Sequence, residues 1–142
     1  MPDNLSINSK GNFVQNSDNG TSPKKRILCV EDDKDTCELL GILFSNYEVI
    51  FAGSLKEAFS LLESQHFDLY VLDNWLPDGS GIEVCQKIHL LKPLIPIIFT
   101  SAVGQKSEIK KAMNAGAREY LVKPYEPEEL QNIVKKLIAE IV

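Results

Sequence analysis

Phe67-Asp68-Leu69-Tyr70-Val71-Leu72-Asp73 is an apolar run that ends on a carboxylate and is followed by the turn signals Pro77, Asp78, Gly79 and Gly81. A carboxylate is costly in apolar surroundings unless something compensates it. Three other apolar runs end on polar groups in the same way. Glu31-Asp32 follows Ile27-Leu28-Cys29-Val30, Ser101 follows Pro96-Ile97-Ile98-Phe99-Thr100, and Lys123 follows Tyr120-Leu121-Val122. Short, nearly continuous apolar runs of this kind predict strands buried on both faces. Tyr47-Glu48-Val49-Ile50-Phe51-Ala52 reads as a fifth strand, second in chain order.

Helical spacing fills the gaps between the runs. Cys37, Leu40, Leu43 and Phe44 mark a helix over residues 33–45. Ser54-Leu55-Lys56-Glu57 is a capping-box pattern that starts a helix at Ser54, running to about Ser64. Ile82, Cys85 and Ile88 give a helix from about Gly81 to Leu91, stopped before Pro93. A fourth helix begins near Gln105 and ends at Asn114-Ala115-Gly116, with Gly116 a left-handed cap. The last, from about Pro127 to Ile141, buries Leu130, Ile133, Val134, Leu137 and Ile141. Five βα units imply an α/β fold, with a parallel sheet and right-handed crossovers that place helices on both faces. Ligands on such sheets bind outside the carboxyl ends of the strands. Glu31, Asp32, Asp73, Ser101 and Lys123 all fall there, so topology alone gathers them on one rim.

The 142 residues suit a single domain of ordinary size, and 44% hydrophobic content supports a real core. A net charge of −5 argues against general affinity for nucleic acid or anionic membrane. No apolar stretch approaches a membrane span and no signal peptide is evident, which points to a cytoplasmic protein without membrane insertion. Residues 1–24 are rich in Asn, Ser, Asp and Gly and lack an apolar period, so they read as a disordered tail ahead of a domain over residues 25–142. Cys29, Cys37 and Cys85 sit among apolar residues without metal-ligand spacing and read as small buried hydrophobes.

Three carboxylates on adjacent strand ends repel one another, by roughly 4 kcal/mol for a pair 4 Å apart at an effective dielectric near 20. A hard divalent cation removes that penalty. Oxygen-only ligands, few of them from protein, suit Mg2+, and the absence of His or thiolate from the set argues against zinc. A carboxylate can attack phosphorus to form an aspartyl phosphate. That chemistry needs charge neutralisation and positioning more than a general base. Lys123 supplies a fixed ammonium and Ser101 a hydrogen-bonding hydroxyl. Taken singly, each residue has an ordinary reading as a loop, cap or surface group. Their joint placement at successive strand ends does not.

Four segments carry a family resemblance: residues 27–33 (ILCVEDD), 72–81 (LDNWLPDGSG), 96–102 (PIIFTSA) and 115–125 (AGAREYLVKPY). In that order, they closely resemble the receiver domain of two-component response regulators over about residues 25–142. The resemblance implies a flavodoxin-like three-layer sandwich with five parallel strands in the order 2-1-3-4-5 and five helices. It implies that Asp73 accepts the phosphoryl group, with Lys123 and Ser101 completing the catalytic set. Glu31 and Asp32 would be the acidic pair, Asp32 the more direct Mg2+ ligand of the two, and the Trp75 backbone carbonyl a further protein ligand. Ser101, rather than Thr100, matches the switch hydroxyl, since it lies five residues after Pro96 and just before the small Ala102. Lys123 matches the phosphate-binding lysine, Lys123-Pro124 would be a cis peptide, and Tyr120 matches an aromatic that turns inward on activation. Trp75 and Val103 are bulky apolar groups beside the path of hydrolytic water, so loss of the phosphoryl group should be slow.

The implied phosphodonor is a histidine kinase or histidine phosphotransfer protein. It would face the first helix near Asp35 and Glu38 and the loop after Pro124. The change would be read by a downstream protein on the face built by helix 4, strand 5 and helix 5, where Lys106, Lys110, Lys111, Arg118 and Glu119 are candidates. The chain ends after the fifth helix, so output is expected through protein–protein contact rather than direct contact with nucleic acid. The protein would be a regulatory phosphoacceptor and not an enzyme, beyond catalysing its own phosphorylation and dephosphorylation. The alternative is a phosphorylation-independent interaction module that keeps the fold without the chemistry. A nucleotide- or flavin-dependent enzyme is disfavoured, because Glu31-Asp32-Asp33-Lys34 has the wrong charge for a phosphate loop and no nucleophile elbow is present.

Overall fold

The computed structural model describes residues 5–7, 13–15 and 23–141. Five strands form one parallel sheet: β1 (Arg26–Val30), β2 (Glu48–Ala52), β3 (Leu69–Asp73), β4 (Ile97–Ser101) and β5 (Glu119–Val122). Their spatial order is β2-β1-β3-β4-β5, as expected, and every neighbouring pair is parallel. The connecting helices are α1 (Lys34–Leu43), α2 (Leu55–Ser64), α3 (Gly81–Leu91), α4 (Lys106–Asn114) and α5 (Pro127–Ala139).

The sheet divides the core into two layers. Ile27, Cys29, Leu69, Val71 and Ile98 pack on one face with Leu40 and Phe44 of the α1 region and Leu130, Val134 and Leu137 of α5. Leu28, Val30, Tyr70, Leu72 and Phe99 pack on the other with Ala58 and Leu62 of α2, Val84, Cys85 and Ile88 of α3, and Ala112 of α4. Successive strand residues therefore enter opposite layers, which is why the strands read as continuous apolar runs rather than alternating ones. Each fully buried Leu, Ile or Phe contributes roughly 1.5–3 kcal/mol of transfer free energy.

Helix termini explain where the sheet lets the chain turn. Asp33 caps α1 by accepting from Thr36 N at 2.9 Å and Thr36 Oγ1 at 2.7 Å. Ser54 caps α2 through Glu57 N at 3.1 Å, but the Glu57 carboxylate accepts from Gly53 N at 2.7 Å, one residue earlier than a reciprocal box requires. A complete capping box forms instead at α3, between Ser80 and Glu83. Gly116, two residues past the end of α4, has a φ of +121°, the positive value expected of it.

The expectation of a disordered tail over residues 1–24 falls largely outside the described residues. Within that segment, however, Leu5–Ile7 and Phe13–Gln15 pair as antiparallel strands, which was not expected. Leu5, Ile7, Phe13 and Val14 are strand-favouring or apolar residues in an otherwise polar stretch, with Gly11 and Asn12 between them. A second small antiparallel pair, Trp75–Leu76 with Gly79–Ser80, shapes the loop between β3 and α3.

Candidate functional site

Backbone hydrogen bonds continue past the strand ends and carry the polar residues to the rim. Glu31 N donates to Ala52 O at 2.9 Å, Asn74 N to Thr100 O at 3.1 Å, and Lys123 N to Ser101 O at 2.8 Å. Adjacent parallel strands are thereby locked in register at the edge where their functional side chains emerge. Glu31 and Asp73 are buried, Asp32 is exposed, and one carboxylate oxygen from each lies within 4.8 Å of the others. Lys123 Nζ donates to Asp73 Oδ1 at 2.9 Å and to Glu31 Oε1 at 3.3 Å. The second oxygen of Glu31 accepts from Asp33 N at 3.2 Å.

These contacts shift the protonation of the site. Burial, followed by the charge of Asp73, raises the Glu31 carboxyl above its ordinary range, although the Asp33 N–H and Lys123 act against the shift. For Lys123, burial lowers the pKa, but the hydrogen bond and charge of Asp73, joined by Glu31, outweigh it and leave the ammonium above its usual value. Two nearly buried carboxylates thus share one ammonium, with an exposed third carboxylate at the opening.

Ser101 is fully buried, and its hydroxyl accepts from Val103 N at 3.1 Å. Thr100 directs its hydroxyl away from the rim, to Leu72 O at 3.2 Å, so of the two only Ser101 has a hydroxyl not committed to a strand carbonyl. Tyr120 is half-buried, its ring stacked on Phe99 at 5.5 Å between centroids and its hydroxyl on Val103 O at 2.6 Å. Lys123-Pro124 is cis. The Trp75 side chain is 63% exposed, and its backbone belongs to the short pair that follows Asp73 by two residues.

Several participants were not singled out from sequence. Asn74 is buried and its amide oxygen accepts from Ser80 Oγ at 3.1 Å, so the chain immediately after Asp73 is held to the start of α3. Gly81 is required there, because a Cβ would collide with the Asp73 carbonyl. Cys37 is half-exposed rather than buried, and its thiol donates to Glu31 O at 3.5 Å. Burial and then the carboxylates of Glu31, Asp33 and Asp32 raise its pKa, so it rests as a neutral thiol. Beside Lys123, a groove of about 420 Å³ is lined by Thr36, Leu39, Ala102, Pro124, Tyr125 and Pro127. Leu39, which lines it, is exposed on α1, as is Ile42 three residues further along the helix.

A doubly wound sheet with this acid, hydroxyl and amine rim defines a signalling receiver, and comparison with known proteins agrees. Residues 27–135 match the family model for the response regulator receiver domain, and the chain belongs to that family, whose members are regulatory domains of two-component systems. It is 34% identical over 116 residues to the alkaline phosphatase synthesis transcriptional regulatory protein PhoP of Bacillus subtilis, an alignment covering 80% of this chain and 48% of that one. Response regulator MprA of Mycolicibacterium vanbaalenii is 36% identical over 115 residues, covering 80% and 50%. The chain thus spans about half the length of these curated relatives. Among solved structures, a CheY-like receiver domain from Methanospirillum hungatei superposes with a TM-score of 0.77 at 34% identity, covering 82% of this chain and 95% of that one. No helix among the described residues is long and apolar enough to cross a membrane.

Proposed function

We propose that this receiver domain is a phosphorylatable switch, with Asp73 as the acceptor and a histidine kinase or histidine phosphotransfer protein as the donor. The observation that carries the reading is the placement of Lys123 Nζ between Asp73 and Glu31, at 2.9 and 3.3 Å, inside the three-carboxylate cluster. The donor set fits Mg2+. All three side-chain ligands are carboxylate oxygens, the thiols of Cys29 and Cys37 near Glu31 are both pushed up and neutral, and the exposed position of Asp32 leaves an open side for water and phosphate oxygens. Glu31, Asp32, Asp73 and the Trp75 carbonyl would hold it. When bound, the ion offsets the charge of the carboxylates and of the incoming phosphoryl oxygens.

A carboxylate oxygen of Asp73 attacks phosphorus, the bond to the donor breaks, and the donor's nitrogen or oxygen leaves with the electron pair. Lys123 already holds Asp73 Oδ1 and orients the acceptor before the donor arrives. After transfer the ammonium is shared with the new phosphoryl oxygens, and the Ser101 hydroxyl, which accepts from Val103 N, donates its own proton to one of them. A movement of Ser101 towards the phosphoryl group carries the segment to Val103 with it, and Tyr120 is bonded to that same segment. A charge change of about one unit at Asp73 therefore reaches the surface of α4, β5 and α5. There Lys106, Lys110, Lys111 and Arg118 are exposed, offering a docking face to a downstream protein partner. The donor docks near Asp35 and Glu38 of α1 and the loop after Pro124, a reading supported by the groove there, which Leu39, Pro124, Tyr125 and Pro127 line.

Incubation with acetyl phosphate and Mg2+ tests the reading. Intact mass should rise by one phosphoryl group and Asp73→Asn should abolish the gain. An unchanged gain in that variant would move the acceptor elsewhere, and no gain in the native protein would favour a phosphorylation-independent module.

A further inference from the structure

Asp78 lies in the loop between β3 and α3 and is exposed, yet both of its carboxylate oxygens are engaged. Oδ1 accepts from Leu55 N at 2.7 Å and Oδ2 from Lys56 N at 3.0 Å. These are first-turn N–H groups of α2, which have no partner within their own helix. The two bonds keep the Asp78 carboxyl below the usual range.

The contact joins two parts of the site that the chain itself keeps apart. α2 begins where β2 ends, and that end touches the acidic pair. Ala52 O accepts from Glu31 N at 2.9 Å, and a Cβ on Gly53 would sit 3.9 Å from Glu31 O. On the other side, Asp78 lies between Trp75 and its pairing partner Ser80. The fit there is close, since a Cβ on Gly79 would come within 2.9 Å of both the Leu55 side chain and the Glu83 carboxylate. The loop therefore rests directly on the first turn of α2, and Asp78 is the polar bond across that contact.

We propose that Asp78 is a positioning residue for the divalent-cation site, holding the Trp75 carbonyl at a set distance from the Glu31 and Asp32 carboxylates. The proposal rests on reading the rim as a Mg2+ site. Its physical content is preorganisation. A loop already fixed to α2 does not have to be ordered when the ion binds, so affinity is higher than for the same ligands on a free loop.

The experiment compares native protein, Asp78→Ala, Asp78→Asn and Ser54→Ala. Ser54→Ala serves as a control, because it removes the α2 cap at Glu57 N without touching the β3–α3 loop. Three quantities are read: amide exchange at Leu55 and Lys56 without metal, melting temperature, and Mg2+ affinity from the fluorescence of Trp75, the only tryptophan. Asp78→Ala should speed exchange at both amides and weaken Mg2+ binding roughly tenfold. Asp78→Asn, which keeps one acceptor oxygen, should fall between it and the native protein. Ser54→Ala should lower the melting temperature and leave Mg2+ affinity unchanged. Native-like Mg2+ affinity in Asp78→Ala, or an equal loss in Ser54→Ala, would overturn the positioning role while leaving the metal site intact. Absence of Mg2+ binding by the native protein would overturn both.

Discussion

Tyr120 donates its hydroxyl to the Val103 carbonyl at 2.6 Å, tying an aromatic on β5 to the chain two residues past Ser101. The ring is stacked on Phe99, so the tie and the packing are separable. Tyr120→Phe removes only the hydrogen bond. It should cost about 1 kcal/mol or less in denaturant unfolding while raising amide exchange over residues 102–105. Tyr120→Ala also removes the stacked ring and should cost about 2–4 kcal/mol. If Tyr120→Phe leaves both exchange and the response to acetyl phosphate unchanged, the hydroxyl does not couple β5 to the site.

Among the described residues, Lys123 is the single cation within hydrogen-bonding distance of both Glu31 and Asp73. Lys123→Ala leaves two nearly buried carboxylates facing each other. Removing one partner from a buried ion pair destabilises by about 3–5 kcal/mol; Lys123 is partly exposed, so about 1–3 kcal/mol is expected here. Millimolar Mg2+ should raise the melting temperature of Lys123→Ala more than that of the native protein, because the ion then meets uncompensated charge. Phosphorylation from acetyl phosphate should nonetheless be at least about tenfold slower, since no side-chain ammonium remains to orient the acceptor. A larger Mg2+ effect on the native protein would contradict this assignment of charge.

Most of this architecture was legible in the sequence, for a simple reason. Alternate residues such as Ile27 and Leu28 enter opposite core layers, so the strands appear as unbroken apolar runs and their ends announce the rim. Parallel topology then assembles Glu31, Asp73 and Lys123 without further information. What was not legible depends on distant backbone. Asp78 looked like a turn residue because its partners are N–H groups 22 and 23 positions away. Glu57 matched a capping box, but Gly53 N was the better-placed donor. Asp33 belonged to the same acidic triplet as the proposed ligands, and only the structure shows its Oδ2 accepting from both the N–H and the hydroxyl of Thr36 as the cap of α1.

Glu31 sets a pH dependence whose sign can be worked out. Its carboxyl is raised by burial and by Asp73, so the folded state binds this proton more tightly than the unfolded chain does. The resulting stability is fully present below the ordinary Glu pKa and is lost as pH rises through the higher folded value. Glu31→Gln should therefore melt higher than native, metal-free protein at neutral pH, with the gap closing as pH falls below about 4. Asp33 and Asp78 are shifted the other way, so their contributions fade as pH falls, but they are common to both proteins and cancel in the comparison. The same substitution should weaken Mg2+ binding. A variant less stable than native at neutral pH would show that Lys123 outweighs burial.

Trp75 and Val103 bear on the lifetime of the phosphorylated state. Trp75, two residues past Asp73, is largely exposed, and Val103 interacts with Tyr120 and Ser101 through its backbone, leaving its side chain free to vary. Trp75→Asn and Val103→Glu replace apolar bulk with groups that hydrogen-bond an attacking water. Each should shorten the half-life of the phosphorylated protein, by roughly three- to tenfold, a change in barrier of about 0.6–1.4 kcal/mol. Mass-resolved decay after removal of acetyl phosphate measures this, and no acceleration in either variant would remove water access as the limiting step.

Gly116 and His89 offer a test of packing at the far end of α4 from the rim. Gly116 has φ +121°, and an added Cβ would lie 2.6 Å from both Cβ and Cγ of His89. Gly116→Ala thus meets two penalties, backbone strain and a ring collision, and should destabilise by about 2–4 kcal/mol. His89→Gly removes both colliding atoms, Cβ and Cγ, and leaves the strain. The double variant should therefore be more stable than the sum of the single effects allows, with a coupling of about 1 kcal/mol or more in chemical denaturation. Strict additivity would mean that the ring moves aside at no cost and that backbone conformation alone demands glycine. Neither residue contacts the acidic cluster, so the rate of phosphorylation should be unchanged wherever the variants remain folded.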